Sequence, residues 1–186
     1  MILLGDRLLL TQITTDDLDF ICRVECDQNL WYYEDFVHSD VNEVREEYME
    51  KIEEEGERSS YDFIISLRDD KHNTPIGLAQ IWHYVDHRRS WELGFSILPD
   101  YERQGYGSES VKLLLDFAFN QLDAHKVIGM CNSLNTRSSA IMERLGMTKE
   151  AVFKEELYWQ EQWIDQHFFS ILEKEYFAIV HADSEQ

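Results

Sequence analysis

One turn, between a strand and a helix, constrains the fold of this chain more than any other stretch. Residues 91–98 alternate between a bulky apolar face (Trp91, Leu93, Phe95 and Ile97) and a second face (Glu92, Gly94, Ser96 and Leu98), which predicts a half-buried strand. Residues 99–110, with Gly105 and Gly107, lead into an amphipathic helix whose apolar residues recur at helical spacing (Val111, Leu114, Leu115, Ala118 and Leu122). Such a turn directs free backbone N–H groups and the positive helix end toward one point, and glycines let a ligand approach the main chain. The stretch therefore predicts a site for a phosphate or pyrophosphate.

This segment differs from the two common nucleotide loops. A dinucleotide fingerprint would carry a third glycine where Ser110 stands, and a P-loop would end in Gly-Lys-Ser/Thr. It instead resembles the acyl-CoA loop of the GNAT N-acetyltransferases, Arg/Gln-x-x-Gly-x-Gly/Ala. Residues 135–147, from Asn135 to Met147, are similar to a second GNAT signature, Asn-x-x-Ser…Glu-Lys-Leu-Gly-Phe. Residues 6–10 and 14–18 resemble the opening strand and first helix of that family. The resemblance is strongest to the branch of ribosomal-protein N-terminal and spermidine acetyltransferases.

The resemblance implies an α/β fold with a single mixed, mostly antiparallel twisted sheet of about six to seven strands, flanked by about four helices. We expect one acetyltransferase domain over residues 1–178 and a polar C-terminal tail over residues 179–186. Alternating apolar residues predict strands near 61–67, 76–84, 126–131, 150–158 and 163–172. The helix after Asn135 should end at Gly146, because glycine suits the left-handed cap. The first two helices should form a flap over the acceptor side.

Composition agrees with this interpretation. A chain of 186 residues with 44% hydrophobic content suits one globular domain. The sequence has neither an apolar run long enough for a membrane span nor a stretch typical of a signal peptide. Three cysteines without framework spacing indicate packed free thiols. We therefore expect a cytoplasmic protein without a membrane partner; a homodimer is allowed.

The formal net charge of −20 argues against a nucleic-acid partner, because a phosphate backbone requires a basic face. Much of the acidity lies in one amphipathic segment (Glu43, Glu46, Glu47, Glu50, Glu53, Glu54, Glu55 and Glu57). One interpretation is a solvated outer helix face. The other is electrostatic attraction of a cationic acceptor, such as a polyamine or a basic N-terminus.

Acetyl-CoA is the co-substrate that the resemblance implies. Its pyrophosphate would lie on the main chain of the loop, and its pantetheine arm along the strand end and the Asn135 loop. The cofactor-binding candidates are Ile97, Leu98, Arg103, Gln104, Gly105, Tyr106, Gly107, Ser108, Asn135 and Ser138. We expect no metal, because His83, Asp86 and His87 sit in a polar hairpin turn on strand faces that cannot converge.

Acetyl transfer requires a neutral amine, so its proton must pass to a base, directly or through water. Glu92 is the first candidate, since Glu92-Leu93-Gly94-Phe95 matches the Glu-x-x-Phe pattern in which some GNAT enzymes place their base. Pairing of Glu92 with Arg88 or Arg89 is the alternative. Glu34 and Asp35 are reserve candidates, and with Trp31 and Tyr33 they would line an acceptor pocket, unless that aromatic run packs in the core.

Two positions depart from the family pattern. Many GNAT enzymes carry a tyrosine, which protonates the leaving thiolate, where this chain has Met142. Ser138 then becomes the candidate acid, with helix capping as its alternative role, as also for Asn135. Glu102 occupies a loop position that usually holds Arg, Gln or an aromatic residue.

The sequence thus predicts direct acetyl transfer from acetyl-CoA to a primary amine, through a ternary complex. The acceptor would be a small-molecule amine, including a polyamine, or a protein N-terminus. The alternative is a GNAT-fold module that binds CoA or another ligand, or regulates, without turnover.

Overall fold

A computed structural model describes residues 1–54, 56 and 58–184 of the chain. Its eight strands are β1 (Ile2–Leu4), β2 (Leu8–Gln12), β3 (Ser60–Leu67), β4 (Pro75–Val85), β5 (Ser90–Ile97), β6 (Lys126–Asn132), β7 (Thr148–Trp159) and β8 (Gln162–Leu172). Its five α-helices are α1 (Leu18–Glu25), α2 (Val41–Glu53), α3 (Tyr106–Gln121), α4 (Thr136–Arg144) and α5 (Glu173–Ser184).

The strands form one sheet in the order β1-β2-β3-β4-β5-β6-β8-β7. Only the β5–β6 contact is parallel among the described strands, and the others are antiparallel. The mixed, mostly antiparallel α/β sheet is confirmed, with slightly more strands than expected. Residues 179–184, expected to be a polar tail, continue α5, and residues 185–186 lie outside the described residues.

Two apolar clusters cover the two faces of this sheet. Because side chains alternate along a strand, β3 contributes Phe63 and Ile65 to one cluster and Ile64 to the other. The first cluster packs under α3, where Leu114 and Phe117 are fully buried; the second packs under α1 and α2. The central strands are thus held on both faces, and the sheet can support a rigid site.

Helix α2 carries the acidic segment. Its buried residues are Val44 and Tyr48, and Asp40 caps its start by accepting a hydrogen bond from the Asn42 N–H at 2.8 Å. Of the acidic series, Glu55 and Glu57 lie outside the described residues. Within the described part of the chain, no helix combines the length and apolar character needed to cross a membrane.

The parallel contact between β5 and β6 is short. Its register pairs run from Ser90↔Lys126 to Glu92↔Ile128, although β5 continues to Ile97 and β6 to Asn132. The two strands therefore separate near Glu92, in the middle of the sheet. This separation positions the site described next.

Candidate active site

A cleft of about 810 Å³ opens where β5 and β6 separate. Its lining comes from the α1–α2 loop, β5, the glycine loop, β6 and α4: residues 29–34, 93–97, 101–103, 105–108, 129–131, 135, 137, 138, 140–142 and 144. We expected the first two helices to form a flap over the acceptor side. The loop between α1 and α2 lines the cleft instead, and the two helices do not.

The glycine loop forms one end of the cleft. Arg103 has φ +60° and Gly105 has φ +84°, and Gly105 is the N-cap of α3. The first helical hydrogen bond runs from the Glu109 N–H to the Gly105 carbonyl. Among the described residues, the N–H groups of positions 105–108 have no hydrogen-bond acceptor, as is usual at a helix start. Unpaired donors at a positive helix end are suited to binding an anion.

Gly107 is required for packing rather than for an unusual backbone angle. A Cβ atom there would lie 3.0 Å from Phe95 Cε2 and 3.2 Å from Ile141 Cδ1. A larger side chain would push α3 away from β5 and α4, and it would enter the cleft.

Arginines surround this end of the cleft: Arg103, Arg137 and Arg144 are in its lining. Arg137 forms an ion pair with Glu102, the residue that departs from the family pattern, and Arg144 Nη1 lies 3.5 Å from Ser108 Oγ. The sequence analysis did not single out Arg137 and Arg144. Their seven-residue spacing on one helix face, directly after Asn135, is a signal that could have identified them.

Strand β5 offers main-chain groups to the cleft. The Leu98 N–H donates to the Ile76 carbonyl on the β4 side at 2.8 Å, and antiparallel pairing alternates such groups from residue to residue. The N–H groups of Ile97 and Phe95 therefore face the gap left by β6. Leu98 itself lies outside the lining, and its carbonyl accepts from the Tyr101 N–H at 2.9 Å. Gln104 is also outside the lining, with its side chain bonded to the Asp100 carbonyl.

The start of α4 supplies the predicted Asn135 and Ser138. Asn135 caps the helix by accepting from the Ser138 N–H at 3.1 Å, so the capping role belongs to Asn135. Both residues line the cleft, and no hydrogen bond of the Ser138 hydroxyl is recorded within the described residues. Met142 is buried and packs against Gly129, where a Cβ would meet its sulfur at 2.6 Å.

Glu92 lies where the two strands separate, beside the cleft rather than in its lining. Burial raises its pKa to about 7, the Glu34 charge adds to the rise, and hydrogen bonding by Trp82 opposes it. Arg89, a partner that the sequence suggested, instead forms an ion pair with Asp123. A half-buried carboxyl with a pKa near neutrality is suited to exchanging protons with the cleft, directly or through water.

The α1–α2 loop forms the other end of the cleft. Trp31, Tyr33 and Glu34 are in the lining, whereas Asp35 is outside it. Desolvation at this end of the cleft and the charge of Asp35 raise the pKa of Glu34. Two carboxyl groups, Glu34 and Glu92, thus act on each other at this end, which favours a cationic group between them.

Two residues that the sequence analysis missed hold this loop in place. Asn132 Nδ2 donates to the Tyr33 carbonyl at 3.1 Å, and Trp159 Nε1 donates to the Tyr32 carbonyl at 2.6 Å. The Trp159 ring also stacks on Tyr33, with centroids 6.0 Å apart. The partners are 99 and 127 residues apart in the chain, so no local pattern could reveal them.

In the polar hairpin turn, His83 Nε2 lies 3.6 Å from Asp86 Oδ1. Among the described residues, no group of three or more His, Cys, Asp or Glu side chains is arranged to hold a metal ion.

Comparison with known proteins agrees with this geometry. A family model described as an acetyltransferase (GNAT) domain matches residues 7–148. An uncharacterized N-acetyltransferase, YnaD, of Bacillus subtilis is 30% identical over 114 residues, which are 61% of this chain and 65% of that protein, slightly under two thirds of its length. Spermidine N(1)-acetyltransferase of Vibrio cholerae is 24% identical over 176 residues, 93% of this chain and 97% of the relative.

The fold has matches among solved structures. A spermidine N-acetyltransferase from Vibrio cholerae in complex with CoA and spermine superposes with a TM-score of 0.84 at 22% identity, covering 93% of this chain and 99% of that one. A GNAT-family acetyltransferase from Bacillus anthracis superposes with a TM-score of 0.79 at 24% identity, covering 94% and 100%. These structures support the same fold.

Proposed function

The chain belongs to the GNAT family of acetyl-CoA-dependent N-acetyltransferases, and from this we propose that it acetylates a primary amine of a cationic acceptor, a polyamine or a protein N-terminus. One observation carries the proposal. The cleft between β5 and β6 joins an anion site at the glycine loop to a carboxyl-bearing end at the α1–α2 loop. A single groove can therefore hold an anionic co-substrate and a cationic acceptor end to end.

The co-substrate would lie with its pyrophosphate on the free N–H groups of positions 105–108, near Arg103, Arg137 and Arg144. Its pantetheine arm would follow β5, where the main-chain groups of Phe95 and Ile97 face the gap. These contacts use the main chain, so the chain can bind a polyanion despite its net charge of −20. The substitution of Glu102 does not remove them.

In the reaction, the neutral amine nitrogen attacks the thioester carbonyl carbon. The main-chain N–H groups of β5 that face the gap polarise the carbonyl oxygen as it becomes anionic. The carbon–sulfur bond then breaks, and the nitrogen loses its proton. The products are the N-acetylated acceptor and CoA, without a covalent enzyme intermediate.

Glu92 is the proposed base, with a water molecule carrying the proton where the carboxyl does not reach the amine. Its pKa of about 7 makes it able to accept a proton at neutral pH. Ser138 is the proposed donor to the leaving thiolate. Ser138 lines the cleft, and the thioether of Met142, four residues further along α4, cannot donate a proton.

The acceptor class is inferred from charge. Glu34 lies in the lining at the acceptor end, and its charge acts on Glu92. A second positive charge on the acceptor would relieve the repulsion between these carboxylates. A related protein of Vibrio cholerae is named spermidine N(1)-acetyltransferase, and spermidine is an acceptor of this kind. No metal ion, a cytoplasmic location and a homodimer stay predictions from the sequence.

A CoA-binding module without turnover is the second candidate, favoured by Met142. An acetylation assay with a panel of amines distinguishes the two candidates. Purified protein is incubated with acetyl-CoA and a panel of spermidine, a basic N-terminal peptide, an amino acid and an aminoglycoside, and the products are weighed by mass spectrometry. Acetylation of spermidine or the peptide supports the proposal. Tight CoA binding with no acetylated product from any amine would favour the module instead.

A further inference from the structure

Ser96 carries an unusual hydroxyl. The residue is 6% exposed, it belongs to the cleft lining, and within the described residues its Oγ is the one buried side-chain N or O atom without a hydrogen-bond partner. Two other buried strand serines show the usual arrangement. Ser66 donates to the Asn73 carbonyl at 3.2 Å, and Ser170 donates to Glu150 at 2.6 Å.

A hydroxyl without a partner opposes folding, because it loses its hydrogen bonds to water and gains none. Buried polar groups are nearly always satisfied, so an exception calls for an explanation. Leu78 is the cross-strand neighbour of Ser96, and it belongs to the apolar cluster under α1. Leu78 thus offers an apolar contact, and a molecule bound in the cleft that Ser96 lines can supply the missing partner.

The position of Ser96 on β5 indicates which part of a ligand it meets. Ser96 is four positions along the strand from Glu92, or roughly 13 Å, and the reaction would take place near Glu92. On its other side the strand ends at Ile97, and the glycine loop follows. Phe95 and Ile97, its two neighbours, present main-chain groups to the gap. The site beside Ser96 therefore lies between the reacting thioester and the phosphates.

We propose that the Ser96 hydroxyl hydrogen-bonds an amide of the pantetheine arm of acetyl-CoA, which makes Ser96 a co-substrate-binding residue. The pantetheine arm is the part of CoA between the thiol and the phosphates, and it carries two amides. Rotation about the Cα–Cβ bond carries the hydroxyl between staggered positions, so it can turn to the bound arm. This inference rests on the proposed function in taking acetyl-CoA as the co-substrate.

The test compares Ser96→Ala with the unchanged chain by calorimetric titration of two probes. CoA contains the pantetheine arm, and adenosine 3′,5′-bisphosphate does not. We expect the Kd of the variant for CoA to rise roughly 2- to 10-fold, which corresponds to the net free energy of one hydrogen bond. Its Kd for the bisphosphate should stay the same. The ligand-free variant should melt at the same or a higher temperature, because it loses a hydroxyl that had no partner.

Ser66→Ala is the matched control, since it removes a buried strand hydroxyl that has a protein partner. It should lower the melting temperature and leave CoA binding unchanged. Equal CoA affinity in Ser96→Ala and the unchanged chain would overturn the inference, as would a lower melting temperature of the ligand-free variant. A rise only in the KM of the acceptor would also overturn it. Failure of the unchanged chain to bind CoA would instead contradict the proposed function.

Discussion

The two ends of the cleft are built in different ways. The phosphate half consists of two short segments, residues 101–108 and the start of α4, and presents main-chain N–H groups. The acceptor half comprises residues 29–34 and Glu92, with Asn132 and Trp159 as supports. It is assembled from four distant parts of the chain and presents carboxyl groups.

This difference has a functional consequence. Main-chain donors do not titrate, so the phosphate half should bind its ligand over a wide pH range. The acceptor half contains Glu34 and Glu92, whose pKa values are both raised. Its behaviour should therefore change near neutral pH. One half fixes the common co-substrate, and the other sets the acceptor and the pH dependence.

The largest effect is expected from Glu92→Gln, which should lower kcat by about 100-fold or more, because it removes the base. The CoA affinity should be unchanged, since the residue lies outside the phosphate half. In the unchanged chain kcat should rise with pH through about 7, where Glu92 ionises. Steady-state kinetics between pH 6 and 9 test this, and the variant should recover part of its rate at high pH.

Stability measurements provide the control for this variant. The folded state raises the pKa of Glu92 from 4.5 to about 7, so it holds the proton more strongly than the unfolded state. This contribution to the free energy of unfolding is present at low pH and is lost as pH rises toward 7. Glu92→Gln should therefore be the more stable protein above pH 7, by as much as about 3 kcal/mol. A destabilised variant would mean that the lost activity reflects misfolding.

Gly107→Val should have the second-largest effect, and this effect should be on the phosphate half of the cleft. The new side chain would collide with Phe95 and Ile141, whose atoms lie 3.0 and 3.2 Å from a Cβ at this position. Displacement of the helix start should weaken acetyl-CoA binding roughly 10- to 100-fold. Calorimetry checks the loss. Gly56→Ala is the control: it strains the backbone of a glycine with φ +100°, but no atom lies within 4 Å of a Cβ there and the residue is outside the cleft lining, so the variant should bind CoA normally.

Trp159→Phe should have a smaller effect, confined to the acceptor half. It deletes the indole N–H that holds the Tyr32 carbonyl and keeps a ring to stack on Tyr33. The acceptor KM should rise about 2- to 10-fold, and the CoA affinity should not change. Trp163→Phe on the same hairpin is the matched control, because that indole is 59% exposed. Equal effects of both variants would argue against a role of Trp159 in holding the loop.

The smallest effect concerns the acidic face of α2. Steering by acidic side chains is screened over about 8 Å at physiological ionic strength, so kcat/KM should fall about 3-fold as salt rises. The slope should be steeper for a dication than for a monoamine. Replacing Glu50, Glu53 and Glu54 by Lys should flatten it and leave the KM for acetyl-CoA unchanged. A flat slope in the unchanged chain would mean that the face is only solvated.

The phosphate half could be predicted from the sequence because its signals are local. Gly105 caps α3 with a positive φ, and Gly146, with φ +84°, follows α4 as expected. The strand pattern was equally readable, since alternation is a local property. The separation of β5 from β6 could not be predicted, because it depends on where a pairing stops rather than on any residue.

Helix α5 was missed for a related reason. It is only weakly amphipathic, so its sequence gives a poor helix signal. Tertiary contacts stabilise it: Tyr176 stacks on Phe119 with centroids 4.8 Å apart and donates to Asp116 at 3.0 Å. Packing against α3 thus decides the conformation that the local pattern leaves open.

The division of the cleft into two halves is tested most directly by titrating CoA calorimetrically into the unchanged chain, Gly107→Val, Glu92→Gln and Trp159→Phe at one pH and salt concentration. If the two halves are separate, only Gly107→Val loses affinity, and the other two variants match the unchanged chain within about 2-fold. An equal loss of CoA affinity in the acceptor-half variants would contradict the division of the cleft into a co-substrate end and an acceptor end.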